Sequence, residues 1–282
     1  MVATFVIFLR EGIEASLVVA ILLAYLDKIG RRDLFRDIAI GVGSAVLLAA
    51  GGGVAAYLTI KTYAGSRQQT IFETITYLLA TAVLTYMTFW MRSHARTMSA
   101  ELAARAEAVL DGRARFALSF LAFQAVGREG LETAVFTLAI LFAQSTRFPM
   151  VGGVGGLLVA AGIAFAIFKA GKRLDLGKFF NVVGAVLMVF AAGLLGDAVE
   201  NMQQLGWIGF LSHPLWNTAG LLRENSTLGD IFHSFLGYAE RPTVLQMAVY
   251  ASYLAAALVI FLAVKKGGAP TVREDTRQPL AA

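Results

Sequence analysis

Two short segments of this sequence place charged residues inside long apolar runs. Residues 10–14 read Arg-Glu-Gly-Ile-Glu, and residues 128–132 read Arg-Glu-Gly-Leu-Glu. A charged side chain at the centre of a membrane helix costs roughly 2.5–3.5 kcal/mol on insertion scales. Six unpaired charges would therefore cost roughly 15–21 kcal/mol, which is comparable to or above the stability of a typical domain. We expect these side chains to face one another, water or a ligand, and we interpret them as the functional site.

The spacing within each segment puts its charged residues on one face of a helix. At about 100° per residue, Arg10, Glu14 and Glu11 lie at about 0°, 40° and 100° around the axis. Arg10 and Glu14 are also i,i+4 neighbours and can form an ion pair. The second segment has the same spacing. Each segment is therefore expected to present a single polar arc to the interior.

The charges of the two segments favour a cation as the ligand. Together they supply four carboxylates and two guanidinium groups, a formal charge of −2. Glu73, near the start of the third apolar run, would make the charge −3. Carboxylate oxygens without Cys or His suit a hard cation. The Arg–Glu pairs could also serve only to lock helices together, but two copies of the motif with surplus negative charge favour an ion site.

The composition is that of a helical membrane protein that crosses the bilayer several times. Of 282 residues, 57% are hydrophobic and 15% are charged, and the mean hydropathy is +0.68. A soluble domain has about 25% charged residues. The absence of cysteine excludes disulfides and thiolate chemistry. The basic residues form short clusters between apolar runs, so the net charge of +5 does not indicate nucleic-acid binding. The first run has no basic segment before it and no evident cleavage site, so we expect a retained helix.

Seven apolar runs are long enough to span a bilayer, which takes about 20 residues. They lie near 3–26, 38–60, 71–91, 116–143, 151–169, 179–199 and 243–264. Lys and Arg are concentrated in alternate connectors. There are four in the first connector, five in the third, four in the fifth and four in the tail, but only two, one and two in the second, fourth and sixth. By the positive-inside rule, the N-terminus lies outside and the C-terminus lies in the cytoplasm.

The motif recurs after 118 residues, and its surroundings recur with it. The second and fifth runs are both rich in glycine, and residues 71–73 resemble residues 179–181. We infer one transmembrane domain at 1–264, made of repeats at about 1–91 and 116–199, an outer loop at 200–242 and a seventh helix at 243–264. The tail at 265–282 is expected to be disordered and cytoplasmic. Each repeat has three spans, which is an odd number, so the second repeat crosses the membrane in the opposite sense to the first. Inverted repeats of this kind place a substrate site near the bilayer midplane.

The paired Arg-Glu-Gly-x-Glu segments resemble the oxidase-dependent iron permeases, a family that includes the high-affinity fungal iron permease and bacterial EfeU-type proteins. The likeness extends to Phe72-Glu73, to residues 89–92 and to Gly237-Tyr238 with Pro242. It implies that Glu11, Glu14, Glu129 and Glu132 bind iron and that Arg10 and Arg128 orient them. Glu73 matches the family by its position at the start of the third helix, and the resemblance adds it as a further candidate ligand. The first segment has Ile13 where leucine is commoner in the family.

The resemblance also implies a function and its partners. We expect a permease of the bacterial inner membrane that carries iron inward, delivered as ferric ion after a separate oxidase or periplasmic protein has oxidised ferrous ion. Iron is then a substrate and not a resident cofactor. No nucleic acid is expected as a partner, and lipid surrounds the chain. Asp197 and Glu200, one turn apart at the outer end of the sixth run, could load iron from outside, or could simply form a solvated helix end.

Three other functions fit part of the same pattern. The carboxylates could carry another metal, such as lead or manganese. Paired Glu-x-x-Glu segments also occur in di-iron carboxylate enzymes, which would make this chain an intramembrane oxidase. Such bundle sites usually add Glu-x-x-His, and no predicted span contains histidine. Finally, the motifs could brace helices in a structural subunit. We expect a transporter without enzymatic activity.

Overall fold

Each of the seven apolar runs lies within one long helix. The computed structural model describes residues 2–94, 104, 107–108, 114–143, 149–170, 176–224 and 226–266. The tail beyond 266, which we expect to be disordered, lies outside the described residues. The long helices are α1 (Val2–Lys28), α2 (Phe35–Lys61), α3 (Arg67–His94), α4 (Ala114–Ala143), α5 (Pro149–Ala170), α6 (Leu176–Gln204) and α8 (Val244–Lys266), with the short helix α7 (Thr227–Leu236) between the last two.

Apolar composition makes four of these helices candidate membrane spans within the described residues. They comprise residues 32–61, 67–91, 181–204 and 244–261. α1 and α4 have 27 and 30 residues, which is long enough, but each carries the three charges of a motif at its middle. Many apolar residues of α2, α5 and α8 point outward, as in Leu47, Leu158 and Val259, which are 75%, 68% and 66% exposed. Such faces suit a lipid environment.

The helices pack in a pattern that is unchanged when α1–α3 are exchanged with α4–α6. α1 packs against α5, α4 packs against α2, and α3 packs against α6, while α1 and α4 contact each other at the centre. Such a symmetric set of contacts is expected of two structurally equivalent halves. α8 and α7 add to the outside of α6.

The motif glycines lie at close helix crossings. A Cβ on Gly12 of α1 would lie 2.8 Å from the Cβ of Ala160 in α5, and a Cβ on Gly130 of α4 would lie 2.7 Å from the Cβ of Ala49 in α2. Equivalent glycines therefore face an alanine of the opposite half. Small residues at such positions let helix backbones approach closely in a membrane.

Two buried apolar clusters include residues of α1, one before its motif and one after it. The first contains Ala3 and Ile7 with residues of α3, α4 and α6, among them Leu84 and Phe136. The second contains Val18, Leu22 and Leu26 with residues at the starts of α2 and α4. The segment at 10–14 lies between these clusters along α1. The charged residues are thereby separated from both ends of the bundle by buried apolar side chains.

The connector between α6 and α8 contains a helix that sequence reasoning did not predict. α6 extends to Gln204, and residues 227–236 form α7 inside the stretch predicted as a loop at 200–242. The side chain of Ser226 accepts a hydrogen bond from the Gly229 N–H and caps the helix start. Gly237 ends the helix with φ of +67°, a conformation that glycine adopts without strain. Gly237 packs directly on Gly193 of α6, so α7 lies against the bundle.

Candidate metal site

The first motif is buried completely at the centre of the bundle. Arg10, Glu11 and Glu14 are 2%, 2% and 3% exposed. The Nη1 of Arg10 donates a hydrogen bond to Oε1 of Glu11 at 2.9 Å. The Nε of Arg10 lies 3.0 Å from Oε1 of Glu14, which is the i,i+4 pair expected from the spacing. One guanidinium group thus holds two carboxylates in place.

The second motif has the same sequence pattern but a different arrangement. Glu129 is 8% exposed and points into the bundle. The side chain of Arg128 is 41% exposed and forms its ion pair with Glu132, from Nε to Oε1, at 3.0 Å. Within the described residues, Arg128 makes no ion pair with Glu129. The carboxylate of Glu129 therefore joins the first motif without its own arginine.

Contact between α1 and α4 brings three motif carboxylates together. One carboxylate oxygen from each of Glu11, Glu14 and Glu129 lies within 4.8 Å of the others. No other group of three or more His, Cys, Asp or Glu residues in the described part of the chain meets this spacing. An all-oxygen donor set of this kind suits a hard cation. The positions follow from the sequence, since glycine at 12 and 130 lets the two motif helices seat closely in the bundle.

Some carboxylate oxygens in and beside this cluster accept no hydrogen bond. Oε2 of Glu11 and Oε2 of Glu129 in the cluster, and Oε2 of Glu132 at its edge, are buried without a hydrogen-bond partner within the described structure. A buried polar atom left without a partner costs about 1–3 kcal/mol, and more when it is charged. A bound cation would satisfy these oxygens and offset the negative charge. The arrangement therefore has the properties of a cation site.

Two of the predicted ligands lie outside the three-carboxylate cluster. Glu132 is close enough to Glu14 for their charges to interact, but it is bound to Arg128 at the edge of the cluster. Glu73 accepts a hydrogen bond from Gln69 at 2.6 Å in the second turn of α3. It precedes Met87, which contacts Arg128, by fourteen residues, or about 21 Å at the rise of an α-helix. The structure does not bring Glu73 to the motifs.

A second polar group forms at the C-terminal end of α6. Asp197 and Glu200 share this end with Glu224 of the connector and His233 of α7. Nε2 of His233 lies 3.8 Å from Oδ2 of Asp197, and its Nδ1 lies 3.4 Å from Oε1 of Glu224. Gln246 of α8 donates to Glu200 at 3.4 Å. The predicted pair is thus part of a larger group, in which the connector supplies the other members.

The carboxylates around His233 favour the charged form of this histidine. Burial by itself lowers the pKa of His233, but the nearby carboxylates of Asp197 and Glu224 outweigh burial and raise the pKa above its usual value. Glu224 and His233 are 27 and 36 residues from Asp197 in sequence, so no spacing rule links them. Only the fold of the connector places them beside α6.

Comparison with known proteins identifies the family. A profile described as the iron permease FTR1 family matches residues 1–267, nearly the whole chain. This chain belongs to the FTR1 iron permease family. Relatives in the family include the ferrous iron permease EfeU of Escherichia coli O157:H7, which is 32% identical over 275 residues, covering 97% of this chain and 99% of that protein. EfeU of Yersinia pestis is 32% identical over 263 residues, covering 93% of each chain. No solved structure matches this chain.

Membership of the FTR1 family confirms the resemblance seen in the paired motifs. It also establishes the class of protein, because the chain is a multi-pass membrane permease of an iron-transport family. The apolar helices of the structure agree with this class.

Proposed function

We propose that this chain takes up iron across the bacterial inner membrane and that the carboxylates of its two motifs hold the ion on its way. The observation that supports this proposal most strongly is the buried cluster of Glu11, Glu14 and Glu129, drawn from both halves of the chain. Glu132 completes the set from the edge of the cluster, where it is held by Arg128. Arg10 orients the first two carboxylates.

The proposed topology has seven crossings, with the N-terminus outside and the C-terminus in the cytoplasm. The distribution of Lys and Arg supports this orientation. The exchange of contacts between α1–α3 and α4–α6 supports two repeats. α1 and α4 cross despite their charges, because Arg10, Glu11, Glu14 and Glu129 are buried against one another. The more exposed Arg128 is paired with Glu132. The motif site then lies near the bilayer midplane, between inverted repeats.

Two lines of reasoning point to different valences of the ion, and a single experiment separates them. The resemblance to oxidase-dependent permeases implies ferric iron, supplied by an extracytoplasmic oxidase or delivery protein. The outer connector offers such a partner exposed apolar side chains, among them Trp207 and Phe210 at 51% and 63% exposure. The relatives are named ferrous iron permeases. The formal charge of the motifs is −2, which a ferrous ion would neutralise and a ferric ion would exceed by one.

We propose transport and not oxidation as the role of the cluster. Within the described residues the close group contains three carboxylates and no histidine, whereas bundle di-iron sites usually add Glu-x-x-His. An intramembrane oxidase would consume oxygen when purified protein is mixed with ferrous iron and no partner. A transporter would not. Oxygen consumption does not distinguish a carrier from a structural brace, because neither would show it. Iron uptake makes that distinction, because only the carrier would move iron.

The test is uptake of radioactive iron into liposomes that contain the purified chain. Ferrous and ferric iron are offered separately to wild type, Glu14→Gln and Glu129→Gln. Removing one unit charge about 4 Å from a singly charged ion weakens the attraction by about 4 kcal/mol, or about a thousandfold in affinity, and the effect is larger for a ferrous or ferric ion. We therefore expect both variants to lose uptake at limiting iron. The preferred valence of wild type shows whether an oxidase is needed.

A matched control is Glu107→Gln, which removes an exposed glutamate from the connector between α3 and α4. It should transport like wild type. Normal uptake by Glu14→Gln and Glu129→Gln, at equal protein level, would contradict the proposed site. Equal uptake of manganese or lead by wild type would instead change the substrate and leave the site in place.

A further inference from the structure

The two motifs have equivalent sequences but hold their arginines differently. Arg10 is 2% exposed and contacts Glu11 and Glu14 of its own helix. The side chain of Arg128 is 41% exposed and contacts Glu132 alone among the acids of its motif. Sequence therefore does not set this difference, and the neighbours of Arg128 on another helix must do so.

Those neighbours lie near the end of α3. The guanidinium carbon of Arg128 sits 4.8 Å from the centre of the Trp90 ring, which is the geometry of a cation–π contact. Its Nη2 also contacts the sulfur of Met87. Arg128 is thus held from two directions, by Glu132 on its own helix and by Trp90 and Met87 on α3.

This position has a direct consequence for the charge around the cluster. Arg10 shows that an arginine in this motif can reach the glutamate that follows it, since its Nη1 lies 2.9 Å from Oε1 of Glu11. The same conformation of Arg128 would pair it with Glu129. The cluster of Glu11, Glu14 and Glu129 would then face two guanidinium groups in place of one, and its attraction for a cation would fall.

We propose that Trp90 is a positioning residue for iron binding, which holds Arg128 away from Glu129 and so keeps the cluster anionic. This inference rests on the proposed function for its choice of ion. It assigns to α3 a part in the site that neither motif contains. Movement of Arg128 from Trp90 to Glu129 would lower the affinity for the ion, which is what release requires.

The experiment replaces Trp90 and measures affinity apart from rate. Trp90→Leu removes the ring face but leaves an apolar side chain of moderate size. A partly desolvated cation–π contact is strong enough to change affinity roughly tenfold. We expect KM for iron uptake to rise roughly tenfold, with Vmax close to wild type. Trp90→Tyr keeps an aromatic face and should restore most of the affinity, which a loss of packing alone would not predict.

A double-mutant cycle with Arg128→Gln isolates the contact. If Trp90 acts by holding Arg128, then Trp90→Leu changes KM in the wild-type background but not in the Arg128→Gln background. An equal increase in both backgrounds would overturn the inference and assign Trp90 to packing. No increase in either background would also overturn it. If Trp90→Leu fails to fold, Trp90→Tyr and Trp90→Phe carry the test. We then expect a smaller rise in KM in the wild-type background and no rise in the Arg128→Gln background.

The same variants are also examined by equilibrium dialysis of the purified protein against radioactive ferrous iron. This second measurement separates the inference from the proposed function. Binding that weakens roughly tenfold in Trp90→Leu, in a protein whose wild type binds but does not transport, would support the positioning role and contradict transport. Normal uptake with unchanged binding and KM in Trp90→Leu would contradict the positioning role alone.

Discussion

The substitution Gly130→Ala tests how closely the two halves must approach to form the site. The added Cβ would lie 2.7 Å from the Cβ of Ala49, whereas carbon atoms in contact prefer about 3.5–4.0 Å. α4 and α2 must therefore separate by about 1 Å at this crossing. Overpacking of this kind costs about 1–3 kcal/mol. Alanine itself favours a helix over glycine by roughly 0.5–1 kcal/mol, so the net effect is a loss of stability.

The displacement also reaches the site, because Glu129 and Glu132 flank Gly130 on α4. Binding sites tolerate misplacement of about 0.5 Å. We expect Gly130→Ala to lower the unfolding temperature in detergent and to reduce iron uptake at limiting concentration. The second substitution Ala49→Gly removes the opposing methyl group and should restore both properties in the double variant.

Two comparisons make this prediction specific. Gly12→Ala should behave in the same way and be rescued by Ala160→Gly, since the equivalent distance there is 2.8 Å. Gly52→Ala on α2 has no neighbouring atom within 4 Å of the new Cβ and should be neutral or slightly stabilising. The reasoning would be refuted if Gly130→Ala matched Gly52→Ala in stability and uptake, or if Ala49→Gly gave no rescue.

Three further outcomes are expected. Glu132→Gln should reduce iron uptake less than Glu129→Gln does, because Glu132 lies at the edge of the cluster with Arg128; kinetics of uptake compare the two, and a larger loss in Glu132→Gln would contradict the geometry. Asp197→Asn should raise KM with little change in Vmax and expose α7 to hydrogen exchange, because Asp197 contacts His233; unchanged exchange in α7 would count against this contact. Gly237→Ala should lower the yield of folded protein, since φ at this position is +67° and Gly193 leaves no space; normal thermal stability would argue against the close contact.

The sequence predicted the long helices and the local geometry of each motif well. Each apolar run lies in a helix because helical hydrogen bonds satisfy the backbone without water. The i,i+4 pairs of both motifs are present at 3.0 Å, since spacing alone puts Arg10 beside Glu14 and Arg128 beside Glu132. These features depend on residues close together in the chain.

Features that depend on distant residues could not be predicted in the same way. Arg128 and Arg10 occur in equivalent segments, and only Trp90 and Met87 of another helix distinguish them. The group of Asp197, Glu224 and His233 depends on the path of the outer connector and on α7. Glu73 matched the family by position, yet helix length places it far from the motifs.

The most direct test of the iron site is to locate the ion itself. Crystals of the iron-loaded protein, with anomalous X-ray scattering recorded at the iron edge, would show where the metal lies in wild type and in Glu129→Gln. We expect one wild-type peak within bonding distance of Glu11, Glu14 and Glu129, and its loss in Glu129→Gln. A peak confined to the group around Asp197 and His233, or a central peak that persists in Glu129→Gln, would contradict the assignment of the motif carboxylates as iron ligands.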